Sequence, residues 1–389
     1  MLAKKNSGSE RYMLKGALRK NGFDSWRLMF NGISEETGEE RAFFIEFYVI
    51  NPLLSPKECV LGFKNRLPSS EADLQHALAG TEAAMSANQE QLVQPSYAMV
   101  KAGCLCENGK QMSAYYPTEQ MFTGKSGFII SMGSGEKSCI LNEKSSVGNI
   151  RVSYADLNEY PEMLCNAGSI TWNLQFERQV AFAPDYKSKT VNWSPLGACT
   201  VFSGMVTLDG ESFVVRPEKS YGYMDKSWGK DFPYPHFHLH ASNLTSIITG
   251  HRLEKSGFTV NGVYENSLSI LALIGGNDVE FRAEKSSRYT VTYECTEMPE
   301  DEDGVKVHWS VSVHNKKSVL DIDIFCNTQA MFVRDYESPS GERKVLKILG
   351  GGNGTGEIRL YKQIRKNLEL IEHATVVNAV CEFGNIELP

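Results

Sequence analysis

Three histidines stand at alternate positions in HFHLH, residues 236–240, directly after the proline-broken run DFPYP. Neutral imidazole donates and accepts hydrogen bonds, titrates near neutrality and ligates zinc. The triplet could therefore hold a metal, line a pocket or form the polar face of a strand. Strand geometry puts His236, His238 and His240 on one face and Phe237, Leu239 and Ala241 on the other. At roughly 3.3 Å per residue the outer Cβ atoms lie about 13 Å apart, too far for both end imidazoles to reach one ion at about 2.1 Å. Two of the three with a distant ligand is the most a metal could recruit. No HExxH and no zinc-spaced cysteine pair supplies the rest. No metal and no redox cofactor is expected; a pocket lining and a solvated strand face stay open.

The preceding run SYGYMDKSWGKDFPYP, 220–235, concentrates aromatic residues, glycines and a carboxylate. Asp225 and Trp228 are three apart. A carboxyl held against an indole loses solvation, which raises its pKa and suits it to general-acid work near neutral pH. The competing reading is an Asp that hydrogen-bonds the backbone of a turn. Further on, GGGNGTG, 350–356, lacks the Lys-Ser/Thr ending of a phosphate loop, and EIRLYKQ after it alternates as a strand. That run is expected to be a flexible hairpin loop.

The elements that must position these groups read as strands. In VKVHWSVSV, Val305, Val307, Trp309, Val311 and Val313 face one way. RYTVTYEC alternates Tyr289, Val291, Tyr293 and Cys295, and Asp303-Gly304 between the two runs suits a hairpin turn. SITWNLQFE places Trp172, Leu174 and Phe176 together, and FFIEFYVINP is a nearly continuous apolar strand ended by Pro52. Many short strands separated by Gly, Asn, Asp and Ser predict an all-β protein of antiparallel barrels or sandwiches. One segment, 69–92, is rich in Ala, Glu and Gln behind an S-x-x-D capping pattern and predicts a helical insertion. The pattern changes around 195–204, which suggests two β domains, 1–200 and 201–389.

The 389 residues carry a net charge of −7, which disfavours nucleic acid as a partner. No run approaches the roughly 20 apolar residues of a transmembrane helix. The N-terminal MLAKKNSGSERYMLKG lacks an apolar leader core. Nine scattered cysteines, with only Cys104 and Cys106 close together, fit reduced thiols in a cytoplasmic protein.

Three segments carry a resemblance to the tocopherol-cyclase-like family. YGYMDKSWGKDFPYPHFHLHASN, 221–243, is similar to that family's aromatic-x-x-acid-x-x-Trp-Gly, Phe-Pro and alternating-strand segment. GFDSWRLMF, 22–30, resembles its N-terminal Phe-Glu-Gly-Trp-Tyr motif, with Phe23, Asp24 and Trp26 at matching places. The stretch 356–385 looks like its closing strands, with Glu382 and Gly384 flanking Phe383. The resemblance implies two lipocalin-like β-barrels with a hydrophobic small-molecule site inside or between them. It also implies proton-initiated cyclisation, as when a prenylated hydroquinone closes to a chromanol, or related hydration or isomerisation. On that footing Asp225 is the acid, with Trp228, Trp26 and Tyr223 as aromatic walls. Glu46, which interrupts FFIEFYV, is a second acid candidate unless it faces solvent, and Glu265 with Tyr264 is a third. The chain departs from the family in carrying His236, His238 and His240 where Trp, Trp and an amide are expected, and Asp24-Ser25 where Glu-Gly is. Such a pocket is more polar than one built for a phytyl tail. A non-catalytic carrier or sensor of a hydrophobic ligand is the alternative function.

Overall fold

The computed structural model describes residues 10–61, 94–124, 127–159, 163, 165–183, 190–232, 236–263, 267–340 and 345–384. The expected helical insertion at 69–92 and the Tyr264–Glu265 pair lie outside the described residues. Within them the protein is all-β. The first sheet is formed by β1 (Phe23–Ser34), β2 (Glu40–Ile50), β3 (Tyr97–Leu105), β4 (Lys110–Tyr116), β5 (Met121–Thr123) and β6 (Ile129–Met132), followed by six more. These are β7 (Cys139–Asn142), β8 (Ser145–Val152), β9 (Gly168–Val180), β10 (Val191–Leu208), β11 (Glu211–Val215) and β12 (Gly222–Gly229). Its order is β4-β3-β2-β1-β11-β10-β9-β8-β7-β6-β5, with β12 also paired between β1 and β10.

The second sheet comprises β13 (His236–Ala241), β14 (Asn243–Ser246), β15 (Gly257–Val263), β16 (Ser267–Ile274), β17 (Asn277–Phe281) and β18 (Thr290–Glu297). It continues through β19 (Lys306–His314), β20 (Ser318–Asn327), β21 (Met331–Glu337), β22 (Val345–Ile364) and β23 (Asn367–Gly384). Its order is β17-β16-β15-β13-β23-β22-β20-β19-β18, with β14 on β23 and β21 on β22. Among the described residues no helix is long and apolar enough to cross a membrane.

Period-two patterning produces both cores. In β19, Val307, Trp309, Val311 and Val313 are buried while the residues between them are not, as the alternation predicts. Each sheet curls around its own apolar interior. Trp26, Leu28, Phe30, Phe43, Ile45, Phe47, Trp172 and Leu174 fill the first, and Phe237, Leu239, Val260, Trp309, Ile322 and Val376 the second. Each such large side chain contributes about 1.5–3 kcal/mol on burial. The two sheets also pack on each other. Tyr48, Tyr97 and Trp193 meet Leu271 at one end of the contact, and Phe44, Leu105 and Tyr223 meet Val380 and Phe332 at the other. That second contact explains why β2 is apolar on both faces: one side lines a barrel and the other a sheet-to-sheet seam.

Two expectations are corrected. Residues 195–204 are no junction but the middle of β10, whose pairing with β12 is irregular between Ser194, Gly197 and Thr200. Bulges there break the hydrophobic pattern without ending the strand; the chain leaves the first sheet after Gly229 and enters the second at His236. The run 350–356 is likewise no hairpin loop but part of β22. A Cβ on Gly352 would come within 2.1 Å of Ala42 Cβ in β2, and one on Gly356 within 1.9 Å of the Asp323 carbonyl oxygen. Glycine is needed because other strands pass too close for side chains.

Candidate functional site: a buried charge cluster between the sheets

The strand registers of the first sheet set four ionisable side chains in one row. Asp225 on β12 lies opposite Arg27 on β1, Arg27 opposite Glu46 on β2, and Glu46 opposite Lys101 on β3. Charge alternates along the row, so cross-strand neighbours attract. From the second sheet His238 on β13 lies opposite Glu382 on β23, and Gly350 on β22 lies opposite Glu382 on its other side. Arg334 on β21 completes the set.

Arg27 joins the sheets. Its Nη2 and Nε donate to the two oxygens of Asp225 at 2.8 and 3.2 Å, and its Nη1 donates to Glu382 Oε2 at 2.6 Å. Arg334 donates to the other oxygen of Glu382 and, at 2.7 Å, to Glu46 Oε1. The Tyr336 hydroxyl reaches both Glu46 oxygens at 2.8 and 2.6 Å. Lys101 lies 4.0 Å from the Tyr336 ring centre and donates to the Asp335 carbonyl. Three cations and three carboxylates thus form one chain, buried except for Arg27, whose side chain keeps 11% exposure. Glu46 is buried, so the solvent-facing alternative for it does not hold.

Electrostatics fix most of the protonation states. Burial opposes ionisation of Glu382, but Arg27 and Arg334 outweigh it and hold the carboxyl well below the usual range. Burial lowers Lys101 to about 8 despite the attraction of Glu46. Burial, with Arg27 alongside, holds His238 well below its ordinary value. Burial and the neighbouring His238 do the same for His240. Both rings are therefore neutral at neutral pH. Tyr223 is raised well above its ordinary value by burial and by Asp225, so its proton stays on the phenol.

The histidine row is the part of the site the sequence located best. All three side chains share one face of β13, with Phe237 and Leu239 in the core behind. That face is buried, not solvated, which settles one of the open alternatives. His236 Nε2 lies 3.2 Å from Glu382 Oε2. His238 Nε2 faces Arg27 Nη2 at 3.2 Å and His240 Nδ1 at 3.0 Å. A guanidinium only donates, so Nε2 of His238 accepts and its proton resides on Nδ1. His240 stacks on Tyr223 with ring centres 3.9 Å apart.

Asp225 and Trp228 are not together. Three residues apart in a strand means opposite faces, so the indole that reaches Asp225 is Trp193, whose Nε1 donates at 3.0 Å. The Tyr223 hydroxyl also donates to Asp225, at 3.1 Å, and meets Thr259 Oγ1 at 3.1 Å. With Arg27, four hydrogen bonds converge on the carboxyl. Trp26 and Trp228 instead flank Lys226 inside the first barrel, at 3.7 and 5.5 Å from their ring centres. There Lys226 is ion-paired with Asp24, and both are fully buried. Burial pushes Asp24 up and Lys226 down, and each partly restores the other. Met13 N–H caps Asp24 at 2.6 Å, and Trp26 Nε1 donates to the Glu10 carbonyl at 2.6 Å. Beside this pair lies a small cleft bordered by Tyr12, Trp26, Phe128 and Ile130.

Reasoning from residue types missed Arg27, Lys101, Arg334, Trp193 and Thr259. The signal that singled out Glu46, one charge inside an apolar strand, applies equally to Lys101 in YAMVKAGCL.

No family model matches this chain, and no curated protein matches it by sequence. Among solved structures it is similar to a protein described as AttH from Nitrosomonas europaea, at 9% identity and a TM-score of 0.42, covering 97% of this chain and 96% of that one. CghA, solved with Sch210972, aligns at 11% identity and a TM-score of 0.43 over 94% of this chain and 89% of its own. Kievitone hydratase from Nectria haematococca aligns at 9% identity and a TM-score of 0.39 over 99% and 97%. At these values the likeness is one of overall build.

Proposed function

We propose that this protein receives an apolar small molecule with a phenol, enol or carbonyl end between its two sheets and transfers a proton there. The reaction class is the cyclisation, hydration or isomerisation that the tocopherol-cyclase-like resemblance implies. The observation that supports this most is the buried array of Asp225, Arg27, Glu382, Arg334, Glu46 and Lys101 at the seam. Burying so many charges costs stability that apolar residues would not, and such arrangements concentrate at functional sites. Asp225 is the group that transfers the proton, with the Tyr223 hydroxyl hydrogen-bonded to it. Glu46 and Tyr336 form a second carboxylate–phenol couple. His236, His238 and His240 supply hydrogen-bonding groups that orient the polar end, and aromatic and apolar residues of the seam hold the rest.

The carrier reading draws on one observation: four protein hydrogen bonds already occupy Asp225. The two readings separate on Asp225→Asn. As an enzyme, the protein loses about 10²–10⁴-fold in turnover while still binding its molecule in native mass spectrometry. Unchanged turnover in a folded Asp225→Asn protein removes the proton-transfer role.

A further inference from the structure

Cys104 and Cys106 bring two free thiols to one point. Their Sγ atoms are 3.2 Å apart. In a regular strand, residues i and i+2 stand roughly 6.6 Å apart, so ordinary pleating does not give this contact. It arises because β3 ends at Leu105, and the chain then bends into the hairpin where Gly109 N–H donates to the Cys106 carbonyl at 2.8 Å. Cys104 is buried opposite Lys110, whereas Cys106 is half-buried and open to small reagents. The Cys106 thiol, by hydrogen-bonding to Cys104, lowers the Cys104 pKa against the effect of burial, and Lys110 and Arg41 add to the lowering. The residue between them, Leu105, belongs to the seam, packing with Phe44, Tyr223, Val380 and Phe332. Its side chain lies where Cβ atoms on Gly350 and Gly352 of β22 would be met, at 3.6 and 3.7 Å.

We infer that Cys104 and Cys106 form an oxidation site that a hydroperoxide closes to a disulfide, with the closure felt at the sheet-to-sheet seam through Leu105. One of the two sulfurs, as thiolate, attacks one peroxide oxygen: an S–O bond forms, the O–O bond breaks and hydroxide leaves, giving a sulfenic acid. The other sulfur then attacks the oxidised one: the S–S bond forms, the S–O bond breaks, and the hydroxyl leaves as water with the second thiol's proton. Overall two thiols and one hydrogen peroxide give one disulfide and two waters, and the two electrons released by sulfur reduce the peroxide. Closing from 3.2 Å to the bonded distance of about 2.05 Å moves the sulfurs by about 1 Å, within reach of the bend.

The test treats the full-length protein with hydrogen peroxide and maps its cysteines by mass spectrometry. A peptide carrying Cys104 and Cys106 short of two hydrogens is expected before Cys139 or Cys165 is modified. With either cysteine replaced by Ser, the resolving sulfur is lost and dimedone is expected to trap a sulfenic acid on the one that remains. Hydrogen exchange of the β22 amides around 348–352 is expected to change on oxidation and to recover with a reductant. Cys104 and Cys106 oxidising no faster than the other thiols, or a disulfide that leaves β22 exchange untouched, overturns the inference.

Discussion

Arg27 and Glu382 are 355 residues apart in the chain and 2.6 Å apart in space, and the bond between them ties the first sheet to the last strand of the second. Arg27 holds Asp225 with its other nitrogens, so one side chain balances two buried carboxylates.

Replacing Arg27 with Met therefore leaves both carboxylates without their main partner. Breaking a buried pair from one side costs about 3–5 kcal/mol. Urea unfolding of Arg27→Met should show a loss of that size. A loss below about 1 kcal/mol, typical of a surface pair, would contradict the described burial.

Stability should fall as the solution is acidified, in two stages. His238 and His240 are held well below their ordinary values, so between about pH 6.5 and their folded values the unfolded chain binds protons that the folded chain does not. Stability in that window drops as pH falls. Glu382 is also depressed, so its contribution is present above the unfolded value of about 4.3 and is lost as pH falls below it toward the folded value. Chemical denaturation from pH 8 to about pH 2 checks both stages, and His238→Gln with His240→Asn should flatten the first.

Asp24 and Lys226 form a separate test inside the first barrel. Lys226→Met alone strands Asp24, and Asp24→Leu alone strands Lys226; each should lose about 3–5 kcal/mol. The double variant should recover most of the loss, since an apolar pair avoids the desolvation of both charges. A thermodynamic cycle from denaturant melts measures the coupling.

Gly352→Ala places a methyl group within 2.1 Å of Ala42 Cβ and should cost about 1–3 kcal/mol by forcing β22 away from β2. Ala42→Gly in the same protein should restore much of it. Thermal melts of the single and double variants decide the point.

The all-β architecture was legible because alternation is a local property: Val307, Trp309, Val311 and Val313 announce their shared face without reference to any other strand. The face of the histidines was legible for the same reason. Partners were not, because Arg27, Glu382 and Arg334 meet only through strands distant in sequence. The pairing of Asp225 with Trp228 fails on the same period-two rule that placed the histidines correctly, since an odd separation turns two strand residues to opposite faces. At 195–204 and 350–356, bulges and close strand approach imitate a boundary and a loop.

Proton transfer at the seam to a bound molecule is the role proposed for this protein. It is tested most directly by incubating the protein in D2O with an extract of apolar metabolites and measuring deuterium at carbon in the bound or released species by mass spectrometry. Carbon-bound deuterium is expected with the unmodified protein and is expected to be lost in Asp225→Asn, with the molecule still bound in both. A molecule that binds and emerges without deuterium, or with equal deuterium in both proteins, would contradict it.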